Sequence, residues 1–503
     1  MSDPLLEPRP APRPLAWPPL IRRLPAILGE AAPAVYLVGG VVRDAFWGRP
    51  AHDIDLVAPG GAFVLARRIA DALGGAFYKL DPARETGRAI AEVNGQRVVV
   101  DVATFRGADL LADLQGRDFT LNAVAAPACG DLDRVIDPLG GLRDAQDRIL
   151  RRCRASSIAD DPIRALRAVR LSAHFGLRIE PATLKDIRQE GHRLTGTSPE
   201  RVRDEFINLL ASSRPAAALR AADALGLLAR IVPEIDAMRG VEHGPPHQPD
   251  VWSHTLAVIE QLHGVVDTIS SRRTDSSAAQ AGLGMIVYFL DYFRRELQSH
   301  LAHLWPDERP HTALLMLAAL LHDSGKPATW QSEGVSSPFI NHEVMGAELA
   351  QARGQALRLS GQEVARLAAI VRHHRRPHLL DTEPSLPRRA VYRFWRDCGA
   401  AGVDICLLSL ANYLATAGPA LSPPQWSKFL QTIDALLAGA FDPGDANVTA
   451  LPPLVTGHDL MQALNLPPGP QIGELLERIR EAQAEGEIRT TEEALALARR
   501  FLP

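Results

Sequence analysis

The sequence predicts an α+β protein in which a small mixed-sheet head is followed by an all-α remainder. Residues 20–150 alternate short apolar, β-rich runs with amphipathic stretches, and the run AVYLVGG (34–40) ends in a Gly-Gly turn. From about Ile149 to about residue 415, apolar positions recur with helical spacing. A chain of 503 residues is too long for one core, and at about 100–200 residues per domain it suggests three or four domains.

The composition excludes several classes of protein. With 46% hydrophobic and 23% charged residues, the chain is globular rather than disordered. It has no uninterrupted apolar run of about 18 residues and no apolar segment at its start, so we expect neither a transmembrane helix nor a secretory signal. The four cysteines form no CxxC pair, which argues against a zinc ribbon or a disulfide framework. We therefore expect a cytoplasmic protein without a membrane partner.

The net charge of −4 gives no sign of a nucleic-acid partner, but the local charge does. Between Arg148 and Arg203 the chain carries 13 Arg and Lys against 6 Asp and Glu. All but four of its 55 basic residues are Arg, whose planar donors suit phosphates and base edges. Because binding depends on the field where the phosphates lie, this helical segment is a candidate RNA-binding surface.

The head is expected to follow a short arm. Residues 1–20 contain seven prolines and predict a disordered or polyproline arm. Within the head, residues 21–148, HDIDLVAPG (52–60) predicts a second strand and AFVLARRIADALGG (62–75) predicts a helix closed by Gly. The runs AFYKL, RAIAEV and RVVVDVATF predict further strands. The head is therefore a mixed α/β domain.

The remainder of the chain divides at polar and Pro-rich breaks. Residues 149–240 read as helices, and HGPPHQPD (243–250) separates them from a long helical region, residues 241–420. The stretch SSRRTDSSAAQAG (270–282) predicts an exposed loop within that region. LSPPQWSKF marks the start of a helical tail, residues 421–503. The roles of the tail and of the 270–310 insertion, and the oligomeric state, are left open.

Three carboxylates in the head predict a metal site. Asp53 and Asp55 are separated by one residue on a predicted strand, so both side chains lie on the same face. Two like charges this close favour binding of a divalent cation. Asp101, which follows the strand residues RVVV, can supply a third ligand from a neighbouring strand.

A Gly-Gly turn upstream predicts a phosphate site. Gly39 and Gly40 lie between a predicted strand and a predicted helix, where backbone N–H groups can approach a triphosphate. Arg43 lies on the first helical turn after them. With the carboxylates, this predicts metal-assisted nucleotidyl transfer, in which Mg²⁺ ions activate an RNA 3′-hydroxyl and stabilise the departing pyrophosphate.

Four motifs in order carry a family resemblance. LVGGVVRDAFWGRPAHDIDLV (37–57) is followed by GRDFTLNAVA (116–125), DDPIRALRAVRLSAHFGL (160–177) and SPERVRDEF (198–206). The series closely resembles the class II, bacterial-type tRNA nucleotidyltransferases and poly(A) polymerases. The resemblance implies a five-stranded nucleotidyltransferase head, with a helical neck and body over residues 149–240 that recognises RNA and the incoming base.

The resemblance also implies roles for individual residues. Asp53 and Asp55 match the catalytic carboxylates that hold Mg²⁺, and Asp101 matches the third acidic position. The implied substrates are ATP, CTP and a tRNA 3′ end. The nucleotide-binding positions that it implies are Gly39, Gly40, Arg43, Asp118, Asn122, Asp161, Arg164, Arg167 and Arg170.

The pair that reads the base has a physical basis. A carboxylate at Asp161 can accept from an exocyclic amine, and a guanidinium at Arg164 can donate to ring acceptors. The two residues are three positions apart and share one face of a helix. Adenine and cytosine both carry an exocyclic amine, so the pair favours ATP and CTP without a nucleic-acid template. DPARETGR (81–88) matches the flexible loop region of the same family.

A second motif resembles the HD superfamily. LAALLHDSGKP (317–327) contains His322 and Asp323, and the flanking candidates are His254, His342 and, from IVRHHRRPH, His373 beside His374. Such residues converging from separate helices suit a divalent metal such as Ni²⁺ or Mn²⁺. The last acidic position of the pattern is Asn412 in this chain, which is a poorer ligand because it carries no charge. Hydrolysis of a phosphoester is therefore a hypothesis for this domain, residues 241–420.

The leading interpretation is an enzyme that adds CCA, or part of it, to tRNA 3′ ends. One alternative is an A-adding enzyme or a poly(A) polymerase, because the motifs are shared among these activities. An alternative of a different class is an HD-type metal phosphohydrolase with a vestigial RNA-binding head. The intact Asp53, Asp55, Asp101, Asp161 and Arg164 argue against a vestigial head, and Asn412 argues against hydrolysis as the main task.

Overall fold

A computed structural model describes residues 4–51, 53–242, 250–270, 281–331, 339–381, 386–442, 447–449 and 451–502. Its contacts divide the chain into two units. The first unit comprises Met1–Thr197 and Ala224–Leu227, and the second comprises Ser198–Asp223 and Leu228–Pro503. The Pro/His-rich break and the loop predicted near residues 270–282 lie almost entirely outside the described residues.

The first unit is built on a six-stranded sheet with the strand order β4-β5-β6-β3-β2-β7. Only β3 and β6 run parallel in this sheet, and the other neighbours are antiparallel. The sheet has one strand more than the five that the resemblance implies, because the short β7 pairs with β2. The strands of this unit are β1 (Arg9–Pro10), β2 (Tyr36–Val38), β3 (Asp53–Ala58), β4 (Ala76–Asp81), β5 (Thr86–Val93), β6 (Gln96–Thr104), β7 (Ala125–Pro127), β8 (Arg134–Val135), β9 (Ile149–Leu150) and β10 (Arg178–Ile179).

Helices cover this sheet and extend the unit beyond it. The predicted helix over residues 62–75 is confirmed as α3, which buries Leu65 and Ile69 and ends at Gly74 with a positive φ of 65°. The helices of this unit are α1 (Leu24–Leu28), α2 (Gly40–Trp47), α3 (Ala62–Leu73), α4 (Leu110–Gln115), α5 (Gly141–Gln146), α6 (Ser157–Asp160), α7 (Ile163–Phe175) and α8 (Pro181–Glu190).

The described part of the N-terminal arm, residues 4–20, corrects the expectation of disorder. Strand β1 pairs antiparallel with β8. The backbone N–H of Leu15 donates to Asp133 Oδ1 at 2.9 Å, and the side chains of Leu15 and Leu20 are buried. Proline composition predicts an extended chain, but it does not show that leucines between the prolines can anchor that chain.

The second unit is helical and has its core around α16. This helix is apolar on all sides and almost wholly buried, and α13, α19 and α22 pack against it. A two-stranded ribbon, β11 (Leu304–Trp305) with β12 (Arg309–Pro310), precedes α16. The helices are α9 (Pro199–Leu210), α10 (Pro215–Ala224), α11 (Leu228–Ile231), α12 (Glu234–Met238), α13 (Val251–Ser270), α14 (Ala281–Leu290), α15 (Arg294–Leu301), α16 (His311–Leu321), α17 (Lys326–Thr329), α18 (His342–Ala356), α19 (Gly361–His373), α20 (Arg376–Leu380), α21 (Arg388–Cys398), α22 (Gly402–Ala417), α23 (Pro423–Phe441), α24 (Gly457–Leu464), α25 (Pro470–Glu485) and α26 (Thr491–Arg499).

One stretch of the described chain, Arg388–Ala420, is long and apolar enough to cross a membrane by length and composition alone. It contains α21 and α22, and 78% of its most apolar window is buried inside the protein. Such burial is the pattern of a core helix in a globular domain.

Candidate functional site

The carboxylates predicted to hold a metal lie on two adjacent parallel strands. Asp55 on β3 is in register with Asp101 on β6, and Asp53 lies two residues before Asp55. The pKa of Asp55 is raised to about 6, chiefly by burial; the charges of Asp101 and Asp53 also raise it, and nearby arginines lower it. A divalent cation would relieve this repulsion, and an all-oxygen donor set is the one that Mg²⁺ prefers. The residues therefore fit the metal that the resemblance implies.

An arginine forms an ion pair with the third carboxylate, Asp101. Arg88 lies opposite Asp101 in the β5–β6 register, and its Nε and NH2 atoms each donate to Asp101 at 2.8 Å. The segment DPARETGR, which was expected to be a flexible loop, forms the end of β4, the start of β5 and the turn between them. Sequence reasoning missed Arg88 because its partner is set by the cross-strand register. A cation bound by Asp101 has to compete with this guanidinium.

The Gly-Gly turn lies directly against the carboxylates. Gly39 precedes α2 with a φ of 76°, a region that side chains disfavour. A Cβ atom at Gly39 would lie 2.8 Å from Oδ2 of Asp55 and 3.3 Å from NH1 of Arg117. The turn therefore requires glycine for its backbone angle and for its close approach to Asp55. Gly40 begins α2, whose N-terminal N–H groups can receive a phosphate.

Four of the predicted nucleotide-binding side chains form one hydrogen-bonded chain. Arg43 donates from Nε and NH2 to Asp44, and from NH1 to Asn122 Oδ1 at 2.8 Å. Asn122 donates to Asp118 at 3.1 Å, and Arg167 donates to the other oxygen of Asp118 at 3.2 Å. Burial raises the pKa of Asp118, but Arg167 and Asn122 outweigh it and hold the pKa below its ordinary value. This series of hydrogen bonds links α2, the helix that follows the Gly-Gly turn, to helix α7.

The predicted base-reading pair is brought together, but its arginine already has partners. Nε of Arg164 lies 3.9 Å from Asp161 Oδ2. The guanidinium is buried and donates to the carbonyl oxygens of Gly116 at 2.9 Å, Arg117 at 3.1 Å and Ser157 at 3.3 Å. To donate to a nucleobase, Arg164 must exchange at least one of these backbone bonds.

The C-terminal end of α7 carries an aromatic ring beneath a cluster of cations. The guanidinium carbons of Arg43 and Arg49 lie 4.4 and 4.9 Å from the ring centre of Phe175. Burial lowers the pKa of His174, and the charges of Arg49 and Arg170 lower it further. The predicted position Arg170 therefore faces the same cationic surface, which suits phosphate groups.

In the second unit, four buried side chains converge on Asp323. It follows His322 at the end of α16, and its carboxylate faces the N-terminus of α18 and the C-terminus of α19. The Nε2 atoms lie 3.2 Å (His322), 3.4 Å (His342), 3.8 Å (His254) and 3.8 Å (His374) from an oxygen of Asp323.

The tautomers of these histidines prepare a metal site. The Nδ1 atoms of His322, His342 and His374 each donate to the carbonyl three residues earlier, at 2.7 to 2.8 Å. This leaves the Nε2 lone pairs directed toward Asp323. Among the described residues, Nε2 of His322 and of His342 is buried without a hydrogen bond. Burial holds the pKa of His374 well below its ordinary value, so the ring is neutral, as a metal ligand must be.

The position assigned to His373 from sequence is filled by its neighbour. His374 is buried against Asp323, whereas His373 is half-buried on another side of α19. Successive residues of a helix point about 100° apart, so a motif with two adjacent histidines does not identify the inward one. Sequence reasoning also missed Lys326, whose Nζ lies 2.7 Å from Asp323 Oδ2. Its spacing of three residues from Asp323 was the available signal.

Asn412, which stands where the HD pattern has an acidic residue, is hydrogen-bonded to two histidines. Its Oδ1 lies 2.9 Å from Nε2 of His254, and its Nδ2 lies 3.3 Å from Nε2 of His378. Nε2 of His254 therefore carries a proton, which it donates to the amide oxygen, and in this arrangement it has no lone pair for a metal. His322, Asp323, His342 and His374 remain as the donor set for a divalent cation.

Comparison with known proteins identifies family domains in both units. Residues 35–151 match the poly A polymerase head domain, 176–239 match the RNA-binding site of polymerase A, 292–401 match the HD domain, and 446–498 match tRNA nucleotidyltransferase domain 2. The chain is 32% identical to the A-adding tRNA nucleotidyltransferase of Deinococcus radiodurans, over 96% of this chain and 98% of that protein. It is 31% identical to the CC-adding tRNA nucleotidyltransferase of Geobacter sulfurreducens, over 94% of each.

A solved structure shares the fold. The Thermotoga maritima CCA-adding enzyme, determined in complex with tRNA, aligns with a TM-score of 0.56 at 20% identity, over 98% of this chain and 99% of that one. Identity this low speaks for the fold alone, whereas the relatives cover almost the whole chain at above 30% identity. The chain belongs to the tRNA nucleotidyltransferase family, enzymes that share their head domain with poly(A) polymerases, and it carries an HD domain.

Proposed function

We propose that this protein adds CCA, or part of it, to tRNA 3′ ends from CTP and ATP without a nucleic-acid template. The observation that carries the proposal is the cross-strand register that sets Asp53, Asp55 and Asp101 together beneath Gly39. Mg²⁺ bound there would supply activation of the 3′-hydroxyl and stabilisation of the leaving pyrophosphate.

The chain's own residues divide the remaining tasks. Gly39 and Gly40 admit the triphosphate, and Arg43 donates to it from an orientation fixed by Asn122. Asp161 and Arg164 select bases that carry an exocyclic amine. The cationic end of α7 holds RNA phosphates. The same proposal includes a division of the chain at residues 148, 240 and 420 into head, neck and body, HD domain, and tail. It also includes action in the cytoplasm.

The extent of addition distinguishes the activities within this family. The two relatives are named A-adding and CC-adding, so CCA, CC and A addition are all compatible with the family. The experiment uses three tRNA substrates that end before C74, before C75 and before A76, each with one NTP at a time, followed by sequencing of the products. Growth of all three with the matching nucleotide supports CCA addition, and use of only the last supports an A-adding enzyme.

The same assay tests the remaining alternatives. A long run of A on any RNA 3′ end would indicate a poly(A) polymerase. The protein with Asp55→Ala should bind tRNA but add no nucleotide, because it lacks a metal-binding carboxylate. Equal incorporation by this variant and the natural protein would contradict the metal assignment, and absence of incorporation by the natural protein would indicate a vestigial head.

The HD site supports a second candidate activity, metal-dependent hydrolysis of a phosphoester. The observation that favours it is the convergence of Nε2 atoms on Asp323 at the wall of a cavity of about 590 Å³. Lys326 and Arg375 also line this cavity and can hold a phosphate. The test measures hydrolysis of a 2′,3′-cyclic nucleotide with Ni²⁺, Mn²⁺ or Mg²⁺, for the natural protein and for Asp323→Ala. No activity with any of these ions would contradict the proposal.

A further inference from the structure

A second cluster of potential metal ligands lies in the HD domain, apart from Asp323. Nε2 of His300 and Nε2 of His311 each lie 2.7 Å from Oδ1 of Asp404, and 3.1 Å from one another. The three residues come from three helices, α15, α16 and α22. Asp404 and His311 are buried, whereas the side chain of His300 is 18% exposed to solvent. The cluster is therefore preformed and open to solvent at His300.

This cluster is separate from the HD site, although it uses two of the same helices. His311 lies eleven residues before His322, so about 16 Å of helix separates the two histidines. Asp404 lies eight residues before Asn412, which is about 12 Å along α22. Helix α16 thus leads from His311 to His322, and helix α22 carries Asp404 at the second cluster and Asn412 near the HD site.

We propose that His300, His311 and Asp404 form a Zn²⁺ site with an open fourth position. Two imidazole nitrogens and one carboxylate oxygen are a donor set that Zn²⁺ binds in tetrahedral geometry. NH1 of Arg366 donates to the other oxygen of Asp404 at 2.9 Å, which leaves Oδ1 to face the two histidines. Such a contact outside the ligand set fixes the carboxylate in one orientation.

A hydrogen bond from Trp305 to His311 disfavours metal binding at this site. The indole Nε1 of Trp305 donates to Nδ1 of His311 at 3.1 Å. Since an indole nitrogen can only donate, Nδ1 of neutral His311 carries no proton, and its proton lies on Nε2. Zn²⁺ on Nε2 requires the proton to move to Nδ1, which breaks the bond from Trp305. One neutral hydrogen bond is a small part of the free energy of a three-ligand zinc site, so Trp305 weakens the site without abolishing it.

This arrangement makes two variants shift metal affinity in opposite directions. The experiment uses the full-length chain with His342→Ala and His374→Ala, which disable the HD site, after removal of metal with a chelator. Co²⁺ is the probe, because tetrahedral Co²⁺ with nitrogen ligands has strong visible bands and the carboxylates of the head would give only weak octahedral ones. We expect one tetrahedral Co²⁺, displaced by Zn²⁺. His300→Gln should weaken binding by about tenfold or more, and Trp305→Phe should strengthen it several-fold.

The controls separate a metal site from a structural cluster. Glutamine at position 300 keeps a donor for Asp404, so the fold should persist, and the circular dichroism spectrum checks this. His303→Gln changes an exposed histidine beside Trp305 that is not a ligand, and should leave Co²⁺ affinity unchanged. The proposal is overturned by the absence of tetrahedral Co²⁺ in the background protein, or by equal affinities of the His300→Gln protein and that background. A Trp305→Phe protein that binds no more tightly would overturn the role of Trp305.

Discussion

Arg88 binds both carboxylate oxygens of Asp101 at 2.8 Å, so an internal cation neutralises the third acidic position of the head. The nearby Asp55 has a pKa raised to about 6 by burial and by its acidic neighbours. The site therefore carries more negative charge than one arginine balances. Arg88 stabilises it without a metal and competes with a metal for Asp101.

Removal of this competitor should increase the affinity of the head for Mg²⁺. In Arg88→Leu, Asp101 loses its counter-ion. The repulsion among the three carboxylates then increases, and a bound cation relieves more of it. The Mg²⁺ concentration for half-maximal nucleotide incorporation should fall by about threefold to tenfold. Arg84→Leu is the matched control, because Arg84 is exposed on the turn that precedes β5 and its Nε lies 3.8 Å from Oδ2 of Asp81. An unchanged Mg²⁺ dependence of Arg88→Leu would contradict the competition.

A side chain at Gly39 should slow incorporation strongly, through contact rather than through backbone strain. Gly39 and Gly74 both have a positive φ, 76° and 65°, so alanine strains the backbone at either position by about 1 kcal/mol. Only at Gly39 would the new Cβ meet Asp55, at 2.8 Å, whereas at Gly74 nothing described lies within 4 Å. Gly39→Ala should lower the rate of incorporation by about a hundredfold, and Gly74→Ala should retain it. Equal rates for the two variants would remove the close approach as the reason for glycine.

Arg164 should contribute to stability as well as to nucleotide choice. Its three carbonyl partners lie in buried or half-buried residues, so Arg164→Ala leaves acceptors poorly satisfied, at a cost of up to about 1–3 kcal/mol for each buried one. Asp161→Ala removes the carboxylate but leaves those bonds in place. We expect both variants to incorporate GTP and UTP more readily, and only Arg164→Ala to melt several degrees lower. An unaltered melting temperature would show that the carbonyl bonds do not persist in solution.

The extent to which sequence predicted these sites depended on whether the partners were close along the chain. Asp53 and Asp55 share a face because of strand periodicity, and that placement could be predicted from their spacing alone. The Arg88–Asp101 pair could not, because it depends on the pairing register of β5 and β6, which the turn between those two strands sets. The arm was misread for a related reason, since Leu15 is anchored by a hydrogen bond to Asp133, 118 positions away in the sequence.

Adjacent histidines give a further test of the HD site. His374 directs Nε2 toward Asp323 at 3.8 Å, whereas His373 does not lie in the described ligand cluster. His374→Ala should lower Mn²⁺ affinity at the site by about tenfold or more, and His373→Ala should leave it unchanged. Calorimetric titration of each metal-free variant measures both. If His373→Ala instead lost the metal, His373 and not His374 would lie on the inward face of α19.

A buried ion pair should make the stability of the second unit depend on acidity. Arg309 donates to both oxygens of Glu363 at 2.9 and 2.7 Å, and both side chains are buried. Burial raises the pKa of Glu363, but the bonds from Arg309 and Ser360 outweigh it and keep the pKa below its unfolded value. The stabilisation is therefore present above an unfolded pKa of about 4.3, and it is lost as the pH falls through the lower folded pKa.

Arg309→Met tests this, because it leaves Glu363 buried without its partner. At pH 7 the loss should be about 3–5 kcal/mol, a fall in melting temperature of roughly 10 °C. As the pH is lowered toward 4 and below, Glu363 becomes protonated in the variant, and the difference from the natural protein should narrow. The double variant Arg309→Met with Glu363→Leu should recover much of the stability at pH 7, because neither charge remains buried. A difference between the single variant and the natural protein that stays constant with pH would show that the lost packing of Arg309, and not the charge of Glu363, sets the effect.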